Sequence, residues 1–539
     1  MGALLDTGSS DFPLPHEIWW IDLMAELDKN AAIPVVDIFA GPGGLSEGFS
    51  SVRNSLGLPA FDVKLSIEKD KFAHLTLELR AFFRQFEYGE APDLYYSYCR
   101  GEVTRNELFK AFPNEASAAR EEAWQAELGK TAKTAVHRRI ANVIGDSEDW
   151  VLIGGPPCQA YSTVGRSRMR GANPNAFEED ERHFLYQEYL EILRQHSPTV
   201  FVMENVRGLL SSRVQGRKIF TKILNDLRTP LPGEKHGYRI FSIVVDSYGR
   251  PLEPTDYLVR AEEFGVPQRR HRVILVGIRE DKRIELPRLE KQKYTPSVAD
   301  AIQDLPPLRS GLSREKDSHR AWRSHLEGFR SVDWGVYDKD ERLLERIEKA
   351  VDQAQIEQVG SDRYYAPSGS WKRAYSGWLG TSGYWFLDPK LGRGVLNHQA
   401  RSHMGTDLLR YLFSASYAET YGTSPRLRDF PESLLPKHKN VHKAMASDYF
   451  ADRFRVQLSS DPATTIVSHL AKDGHYFIHP DPSQCRSLTV REAARLQTFP
   501  DNYFFEGPRT EQYRQVGNAV PPLLAYQIAK NLYTAIVDT

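Results

Sequence analysis

The chain has 539 residues, and its hydrophobic content of 41% is enough to bury a large core in two or more domains. Its 70 basic and 71 acidic side chains leave a formal net charge of −1, so a nucleic-acid partner would have to be held by local basic patches. No apolar run reaches the length of a membrane span and the first residues lack a secretion signal, so we expect a soluble, cytoplasmic protein.

The N-terminal half alternates strands and helices. Residues 1–32 precede this pattern as an N-terminal extension of unassigned role. From residue 33 to about residue 282 the alternation is typical of a doubly wound parallel sheet of the α/β class. An alanine- and glutamate-rich stretch at about 105–143 predicts a helical insertion. The predicted strands are Val35–Phe39, Val63–Ile67, Val151–Ile153, Val200–Met203, Phe241–Val245 and Val273–Gly277.

The first predicted strand ends in a glycine-rich turn, Asp37-Ile38-Phe39-Ala40-Gly41-Pro42-Gly43-Gly44. Glycines at a strand-to-helix turn let the backbone approach a ligand closely, although this is not the GxGxxG pattern of a dinucleotide site. Glu68 follows the next strand, where an acidic residue can bind the ribose hydroxyls of an adenosine. A nucleoside cofactor without a pyrophosphate fits both features, and a tight turn beside a solvated glutamate is the alternative.

A cysteine stands where a buried strand ends, in Gly154-Gly155-Pro156-Pro157-Cys158-Gln159. Ligands gather outside the carboxyl ends of strands in open α/β sheets, so Cys158 is a candidate reactive residue. The alternative is a small buried hydrophobe, which most cysteines are. With Cys99 and Cys485 it makes three cysteines, too few and too scattered for a disulfide framework or a zinc site, so we expect a reducing compartment and no metal.

Further polar groups flank two other predicted strands of this sheet. Glu204 follows Val200–Met203, so it should lie near Cys158 and can serve as a proton donor or hydrogen-bond partner. Gln268, Arg270 and Arg272 precede or begin the last strand, and in an extended segment they share one face. Two guanidiniums on one face suit a phosphate or a base carbonyl.

Beyond about residue 282 the pattern becomes rich in Pro, Gly, aromatic and charged residues, and we predict a separate, irregular and β-rich domain over 283–485. Basic and aromatic residues alternate there around Trp371–Trp385. This mixture suits contacts with phosphates and bases, but it also makes ordinary irregular surface. From residue 486 regular structure returns, with helices predicted at Val490–Gln497 and Leu523–Tyr533.

Six motifs in this order resemble those of the DNA cytosine-5 methyltransferases. The family implies a Rossmann-like S-adenosylmethionine-dependent catalytic domain over 33–282, a target-recognition domain over 283–485, and a return to the catalytic domain over 486–539. Six motifs in order make coincidence negligible. They are Asp37 to Gly44, Gly155-Pro156-Pro157-Cys158-Gln159 with Ser162, Glu204-Asn205-Val206, Gln268-Arg269-Arg270-His271-Arg272, residues 486–500, and Gly517-Asn518-Ala519-Val520-Pro521.

The resemblance implies a covalent mechanism on a cytosine flipped out of duplex DNA. Cys158 would add to C6 of the base, which makes C5 nucleophilic enough to accept a methyl group from S-adenosylmethionine. Glu204 would contact N3 and the exocyclic amine, and Arg272 would hold O2, with Arg270 as a further catalytic arginine. The implied DNA contacts are Gln159, Ser162, Arg166, Asn205, Gln268, Ser468 and His469.

The cofactor pocket is implied in the same way. Phe39 would stack on the adenine, Glu68 would bind the ribose, and Asn518 and Val520 would close the site. The remaining implied contacts are Gly41, Gly43, Gly44 and Pro156. The family also has an acidic residue after its third strand, for which Glu102 is the candidate and Asp146 the rival; the insertion at 105–143 leaves this assignment open.

Two other functions stay open. A tRNA cytosine-5 methyltransferase would share the Pro-Pro-Cys loop and the glutamate motif, although the large region before Arg486 favours duplex DNA. A catalytically silent DNA-binding relative would have no physical need for Cys158, Glu204 and Arg272 together. We therefore expect a monomeric enzyme on double-stranded DNA, associated with the nucleoid of a prokaryote, and a restriction nuclease or defence-system partner is compatible with it.

Overall fold

The computed structural model describes residues 31–87, 89–157, 185–214, 217–230, 237–246, 250–367, 378, 383–437, 441 and 451–537. Within these ranges an eight-stranded sheet lies at the centre of the first domain. Its strands are β1 Ile33–Ile38, β2 Phe61–Glu68, β3 Ala123–Gln125, β4 Val151–Gly154, β5 Val200–Val206, β6 Tyr238–Phe241, β7 Leu258–Arg260 and β8 His271–Arg279.

The strand order is β3-β2-β1-β4-β5-β8-β6, and β7 pairs with β8. Strands β1 to β5 are parallel, whereas β8 runs antiparallel to β5, β6 and β7. The sheet predicted as parallel is therefore mixed, because a buried apolar run has the same appearance in either direction. The order reverses between β1 and β4, and the carboxyl ends of strands at such a reversal are where ligands bind in open sheets.

Helices cover both faces of this sheet. Residues of one face, such as Val151, pack against Leu45 and Leu524, and residues of the other face, such as Leu152, pack against Ile140 and Leu190. The apolar strands are thus buried on both sides, which explains their nearly continuous hydrophobic character. The helices up to residue 228 are α1 Gly44–Ser50, α2 Lys71–Arg84, α3 Asp93–Arg100, α4 Arg105–Ala111, α5 Pro113–Glu122, α6 Lys133–Ile144, α7 Leu185–His196 and α8 Ile219–Arg228.

The stretch 105–143, predicted as a helical insertion, contains α4, α5, β3 and most of α6. Strand β3 pairs with β2 and is a regular edge strand of the main sheet. Its three residues, Ala-Trp-Gln, are too few to show an alternating pattern in the sequence. The additional helices are α3 to α5, which begin before residue 105 and share a small core with Phe82 and Leu396.

The described part of 283–485 is mainly helical and irregular. Its helices are α9 Val298–Ile302, α10 His319–Glu327, α11 Glu341–Gln353, α12 Gly383–Phe386 and α13 Gly405–Tyr421. Its strands are short: Gly360–Tyr365 pairs with Val395–Gln399, and Gly311–Leu312 with Ser402–His403. In the described part of this region the expected β-rich character is limited to these ladders and to the strand Ala463–Thr464, which pairs with Gln268–Arg269. Segments such as α11 instead bury residues at helical spacing, namely Leu343, Ile347, Ala350 and Val351.

The C-terminal part returns to the sheet domain through α14 Val490–Leu496, α15 Arg509–Asn518 and α16 Pro522–Val537. Helix α16 packs directly on α1, since a Cβ atom at Gly48 would lie 2.5 Å from the backbone nitrogen of Tyr526. The two ends of the described chain therefore build one domain. Within the described ranges, none of the helices is both long and apolar enough to cross a membrane.

Candidate active site

Strands β1, β4 and β5 end at the same edge of the sheet. The register places Ile38 beside Gly154 and Gly154 beside Met203. The glycine-rich turn after β1, the proline loop after β4 and Glu204 on β5 are therefore neighbours. They meet at the reversal between β1 and β4, the position that the fold favours for a ligand.

Glu204 and Arg272 form an ion pair across β5 and β8. The Nε atom of Arg272 lies 2.8 Å from Oε1 of Glu204, and both side chains are largely buried, at 12% and 14% exposure. Burial lowers the pKa of Arg272, and the carboxylate of Glu204 opposes that shift. The pair offers acceptor and donor atoms side by side in a partly desolvated pocket, where hydrogen bonds to a ligand are strong.

The loop that leads to Cys158 passes close to this pair. A Cβ atom at Gly155 would lie 3.1 Å from Oε2 of Glu204, so glycine permits the approach. Asn205 donates a hydrogen bond from Nδ2 to the carbonyl oxygen of Pro156 at 3.3 Å. Cys158 and the predicted DNA contacts Gln159, Ser162 and Arg166 lie outside the described residues. Asn205, predicted as a DNA contact, is buried and supports this loop.

Gln268 and Arg270 point into the protein. Gln268 donates from Nε2 to the carbonyl oxygen of Leu496 at 3.1 Å and accepts from the backbone N–H of Ile466 at 2.8 Å. The guanidinium of Arg270 donates to the carbonyl oxygens of Ile466 and Gly517. Both residues are at most 1% exposed, so the structure places neither the predicted DNA contact nor the second predicted catalytic arginine at an open surface.

At the end of β2, the carboxylate of Glu68 faces the turn after β1. Its Oε2 accepts from the backbone N–H of Gly41 at 2.8 Å, and its Oε1 accepts from that of Asp70 at 2.8 Å. Burial raises the pKa of Glu68, and these backbone donors oppose the shift. Gly41 has a φ of 58° and open space where a side chain would stand. Phe39, with φ 57°, also has a left-handed backbone, a conformation that is uncommon for a bulky residue.

Sequence reasoning assigned no role to Asp37, which is fully buried below this turn. The hydroxyl of Ser46 donates to its Oδ2, and its Oδ1 has no hydrogen-bond partner among the described residues. Burial raises the pKa of Asp37 to about 7, and the nearby charge of Glu68 adds to the shift. A buried carboxylate oxygen without a partner is costly unless a ligand supplies a donor.

The C-terminal segment closes this side of the site. A side chain on Gly44 would overlap the carbonyl oxygen of Val520, so the turn and the segment after α15 touch through their backbones. Tyr503 donates from its hydroxyl to the carbonyl oxygen of Pro42, and a Cβ atom at Gly43 would lie 2.9 Å from that hydroxyl. Val520 is buried and Asn518 is exposed. Tyr503, which sequence reasoning missed, thus belongs to the wall of the pocket.

Glu102, the predicted acidic residue after the third strand, does not follow a strand of the sheet. It follows α3 rather than a strand, is exposed, and pairs with Arg100 at 2.7 Å. Asp146 is exposed after α6. The third strand of the sheet is β3, and after it Ala126 donates a backbone hydrogen bond to Glu68 while Glu127 pairs with Lys69 at 3.3 Å. Helices α4 and α5 separate Glu102 from β3 along the chain, which sequence spacing did not reveal.

Ser468 and His469, predicted as DNA contacts, begin a short 3-10 helix, Ser468–Ala471, and both are half-buried. This turn lies against α15, because a Cβ atom at Gly517 would lie 2.8 Å from the carbonyl oxygen of Val467. The segment before it therefore lies next to both Arg270 and the end of α15.

Residues 122–534 match the family model described as C-5 cytosine-specific DNA methylase. The type II methyltransferase M.Bpa9945I of Bacillus paralicheniformis is 34% identical over 518 residues, which cover 92% of this chain and 97% of the relative. M.AgeI of Thalassovita gelatinovora, also named a type II methyltransferase, is 28% identical over 403 residues, covering 72% and 83% of the two chains. An E. coli chain described as a prophage-encoded DNA modification methyltransferase shares the fold, with a TM-score of 0.52 at 18% identity over 94% of this chain and 99% of that chain.

Proposed function

The chain belongs to the C-5 cytosine-specific DNA methylase family and is a DNA (cytosine-5)-methyltransferase, and we propose that the sheet edge formed by β1, β4, β5 and β8 is its active site. The observation that carries this proposal is the ion pair of Glu204 and Arg272 beside the proline loop that leads to Cys158. A base in this pocket would meet a carboxylate, a guanidinium and the cysteine from different strands.

The chemistry assigned to these residues is nucleophilic catalysis. The thiolate of Cys158 would add to C6 of cytosine and form a carbon–sulfur bond, which leaves C5 with enamine character. Glu204 would accept a hydrogen bond from the exocyclic amine and, carrying a proton, would donate to N3, while Arg272 would donate to O2, so both relieve the charge that develops on the ring. After methyl transfer a base removes the C5 proton, and elimination releases the thiolate of Cys158.

The proposed cofactor is S-adenosylmethionine, and the pocket beside β1 fits it. Its sulfonium group would supply the methyl. Glu68 would accept from the ribose hydroxyls, Phe39 would stack on the adenine, and the open turn at Gly41 would leave room for the methionine part. The unpartnered Oδ1 of Asp37 fits an additional donor on this side, because a buried carboxylate is stabilised by a charged or polar hydrogen-bond donor.

The remaining proposals concern the DNA. A cytosine in a duplex must be flipped out before Cys158 can reach it, at a cost of about a few kcal/mol. The region 283–485 would read the target site, and Ser468 and His469 would contact the backbone near the flipped base. The names of the relatives, type II methyltransferases, support a role in restriction–modification with a nuclease as the functional partner, and we propose that the enzyme acts as a monomer in the cytoplasm.

The decisive experiment is a covalent trap. Bisulfite sequencing of DNA from cells that express the protein first identifies the target site. A duplex with 5-fluorocytosine at that site should then form an adduct with the full chain only when S-adenosylmethionine is present, because fluorine cannot leave as a cation and the final elimination stalls. Peptide mass spectrometry should place the adduct on Cys158.

The matched controls are the Cys158→Ala variant and a tRNA that contains the same fluorinated base. Adducts on tRNA but not on the duplex would make the chain a tRNA methyltransferase. The absence of adducts on either substrate, with folded protein that binds the cofactor, would favour the catalytically silent relative.

A further inference from the structure

Arg270 is fully buried at a junction of three parts of the chain. Its Nη1 donates to the carbonyl oxygen of Ile466 at 2.8 Å, and its Nη2 donates to that of Gly517 at 3.3 Å. Two residues later, Arg272 pairs with Glu204 in the base pocket. One guanidinium thus joins the strand of the base pocket to two segments that lie about 200 and 250 residues further along the chain.

The first of these is the re-entry segment, residues 463–472, which leads from the target-recognition region back toward α14. Its main chain is held from both sides. Gln268 accepts from the N–H of Ile466 at 2.8 Å, and Arg401 donates to the carbonyl oxygen of Leu470 at 2.6 Å. Ile466 and Leu470 are fully buried and Val467 is 36% exposed, so the backbone of this segment is fixed while the side chain of Val467 remains at the surface. Such an arrangement suits a segment that contacts DNA.

The second segment bound by Arg270 is the end of α15 at Gly517, three residues before Val520. The carbonyl oxygen of Val520 packs where a side chain on Gly44 would stand, so this segment forms a wall of the cofactor turn. Gly517 also contacts the backbone of Val467. A shift of the C-terminal segment that accompanies cofactor binding would therefore move one of the two carbonyl groups bound by Arg270.

We propose that Arg270 is a positioning residue that couples cofactor binding at the Gly44–Val520 contact to the ordering of the re-entry segment. The inference rests on the proposed cofactor site, and it gives Arg270 a role without contact to the base. Binding at one site would order the other through the two carbonyl groups that share one guanidinium, and the coupling would be reciprocal. A lysine carries its three donors on one nitrogen and cannot reproduce the fork in which Nη1 and Nη2 of Arg270 each reach a different carbonyl group.

Hydrogen–deuterium exchange on the full chain tests this proposal without requiring turnover or DNA. Calorimetry first establishes that S-adenosylhomocysteine binds. In the unaltered protein, saturating S-adenosylhomocysteine should slow exchange of the peptide covering residues 463–472 by about fivefold or more, the lower range of typical coupling. In Arg270→Lys the same ligand should still bind, but the slowing should fall below about twofold.

Gln268→Met is the matched control. It removes the bonds of Gln268 to the N–H of Ile466 and to the carbonyl oxygen of Leu496 but leaves both bonds of Arg270, so exchange should be faster with and without ligand while the ratio between the two rates is kept. An unchanged ratio in Arg270→Lys, or absence of slowing in the unaltered protein despite binding, overturns the coupling alone. Failure of S-adenosylhomocysteine to bind overturns the cofactor proposal and the coupling with it. If Arg270→Lys does not fold, the same exchange measurement is made on Arg270→Gln. The ratio of exchange rates with and without S-adenosylhomocysteine in Arg270→Gln is then compared with that of the unaltered protein.

Discussion

Asp37 allows a quantitative prediction, because its carboxyl group is buried and only half satisfied. The pKa of Asp37 is raised by burial from its usual 3.8 to about 7. The folded protein therefore binds this proton more tightly than the unfolded chain does. The stability that the protonated carboxyl group of Asp37 contributes is fully present below pH 3.8 and is lost as pH rises toward 7. A difference of about three pKa units corresponds to about 4 kcal/mol.

The Asp37→Asn substitution replaces the carboxyl group with an amide, which cannot ionise and still offers an oxygen to the hydroxyl of Ser46. This variant should therefore gain stability over the parent as pH rises, by about 1.4 kcal/mol per pH unit, and the gain should level off above pH 7. Thermal unfolding of both proteins from pH 4.5 to 8.5 measures the difference in stability between Asp37→Asn and the parent. Since 1 kcal/mol shifts the Tm of a large domain by about 2 to 4 °C, the full effect is on the order of 8 °C or more.

Glu68 is the control, because burial also raises its pKa and adds a pH dependence of the same sign. The Glu68→Gln variant, alone and combined with Asp37→Asn, separates the two contributions. A gap between the parent and Asp37→Asn that does not change with pH would refute the reasoning. S-adenosylhomocysteine should bind the stabilised Asp37→Asn variant more weakly, since a neutral amide replaces the free carboxylate oxygen; tighter binding would contradict a role in ligand contact.

The other predictions concern the reaction and the cofactor turn. Cys158→Ser should abolish methyl transfer in a tritium assay but keep cofactor affinity within about tenfold, or 1.4 kcal/mol; retained turnover would exclude the covalent mechanism. Glu68→Ala should weaken S-adenosylmethionine binding by about 1.5–3 kcal/mol in calorimetry with little effect on DNA affinity, and unchanged binding would make the ribose assignment wrong. Glu204→Gln should lower kcat by about 10² to 10⁴ at similar cofactor affinity, whereas a loss under tenfold would argue against contact with the base. Gly44→Ala should cost about 1–3 kcal/mol in thermal unfolding, because its methyl group would overlap the carbonyl oxygen of Val520; an unchanged Tm would contradict this packing.

The buried strands could be predicted because each is an apolar run that ends at a polar residue. Val200–Met203 followed by Glu204 is the clearest example, and β5 contains it. The direction of β8 could not be predicted, since apolar residues such as Val273 and Leu275 are buried whichever way the strand runs. That direction matters for the site, because it places Arg272 at the same end of the sheet as Glu204.

The positions of the Gln268 and Arg270 side chains could not be predicted from the sequence. Alternation predicted that they share a face with Arg272, but the chain forms only the short strand Gln268–Arg269 before β8 begins at His271. Their partners, Ile466 and Gly517, are distant in sequence, and no local pattern indicates such contacts. Asp37 is a similar case. Its motif could be recognised in the sequence, but only the structure shows that its Oδ1 has no hydrogen-bond partner among the described residues.

The bond between Glu204 and Arg272 suggests how the pocket would discriminate among bases. Before a base enters, each charge is stabilised by the other, so neither is left unpaired in a partly buried site. On one edge cytosine offers an amino donor, N3 and O2; the amine matches an oxygen of the Glu204 carboxyl group, N3 matches a proton held by that group, and O2 matches the guanidinium of Arg272 beside it. Uracil and thymine would instead turn a carbonyl oxygen toward the carboxylate of Glu204. Because a buried acceptor facing another acceptor costs more than a lost hydrogen bond, the pair that we propose to assist the reaction would also select the base.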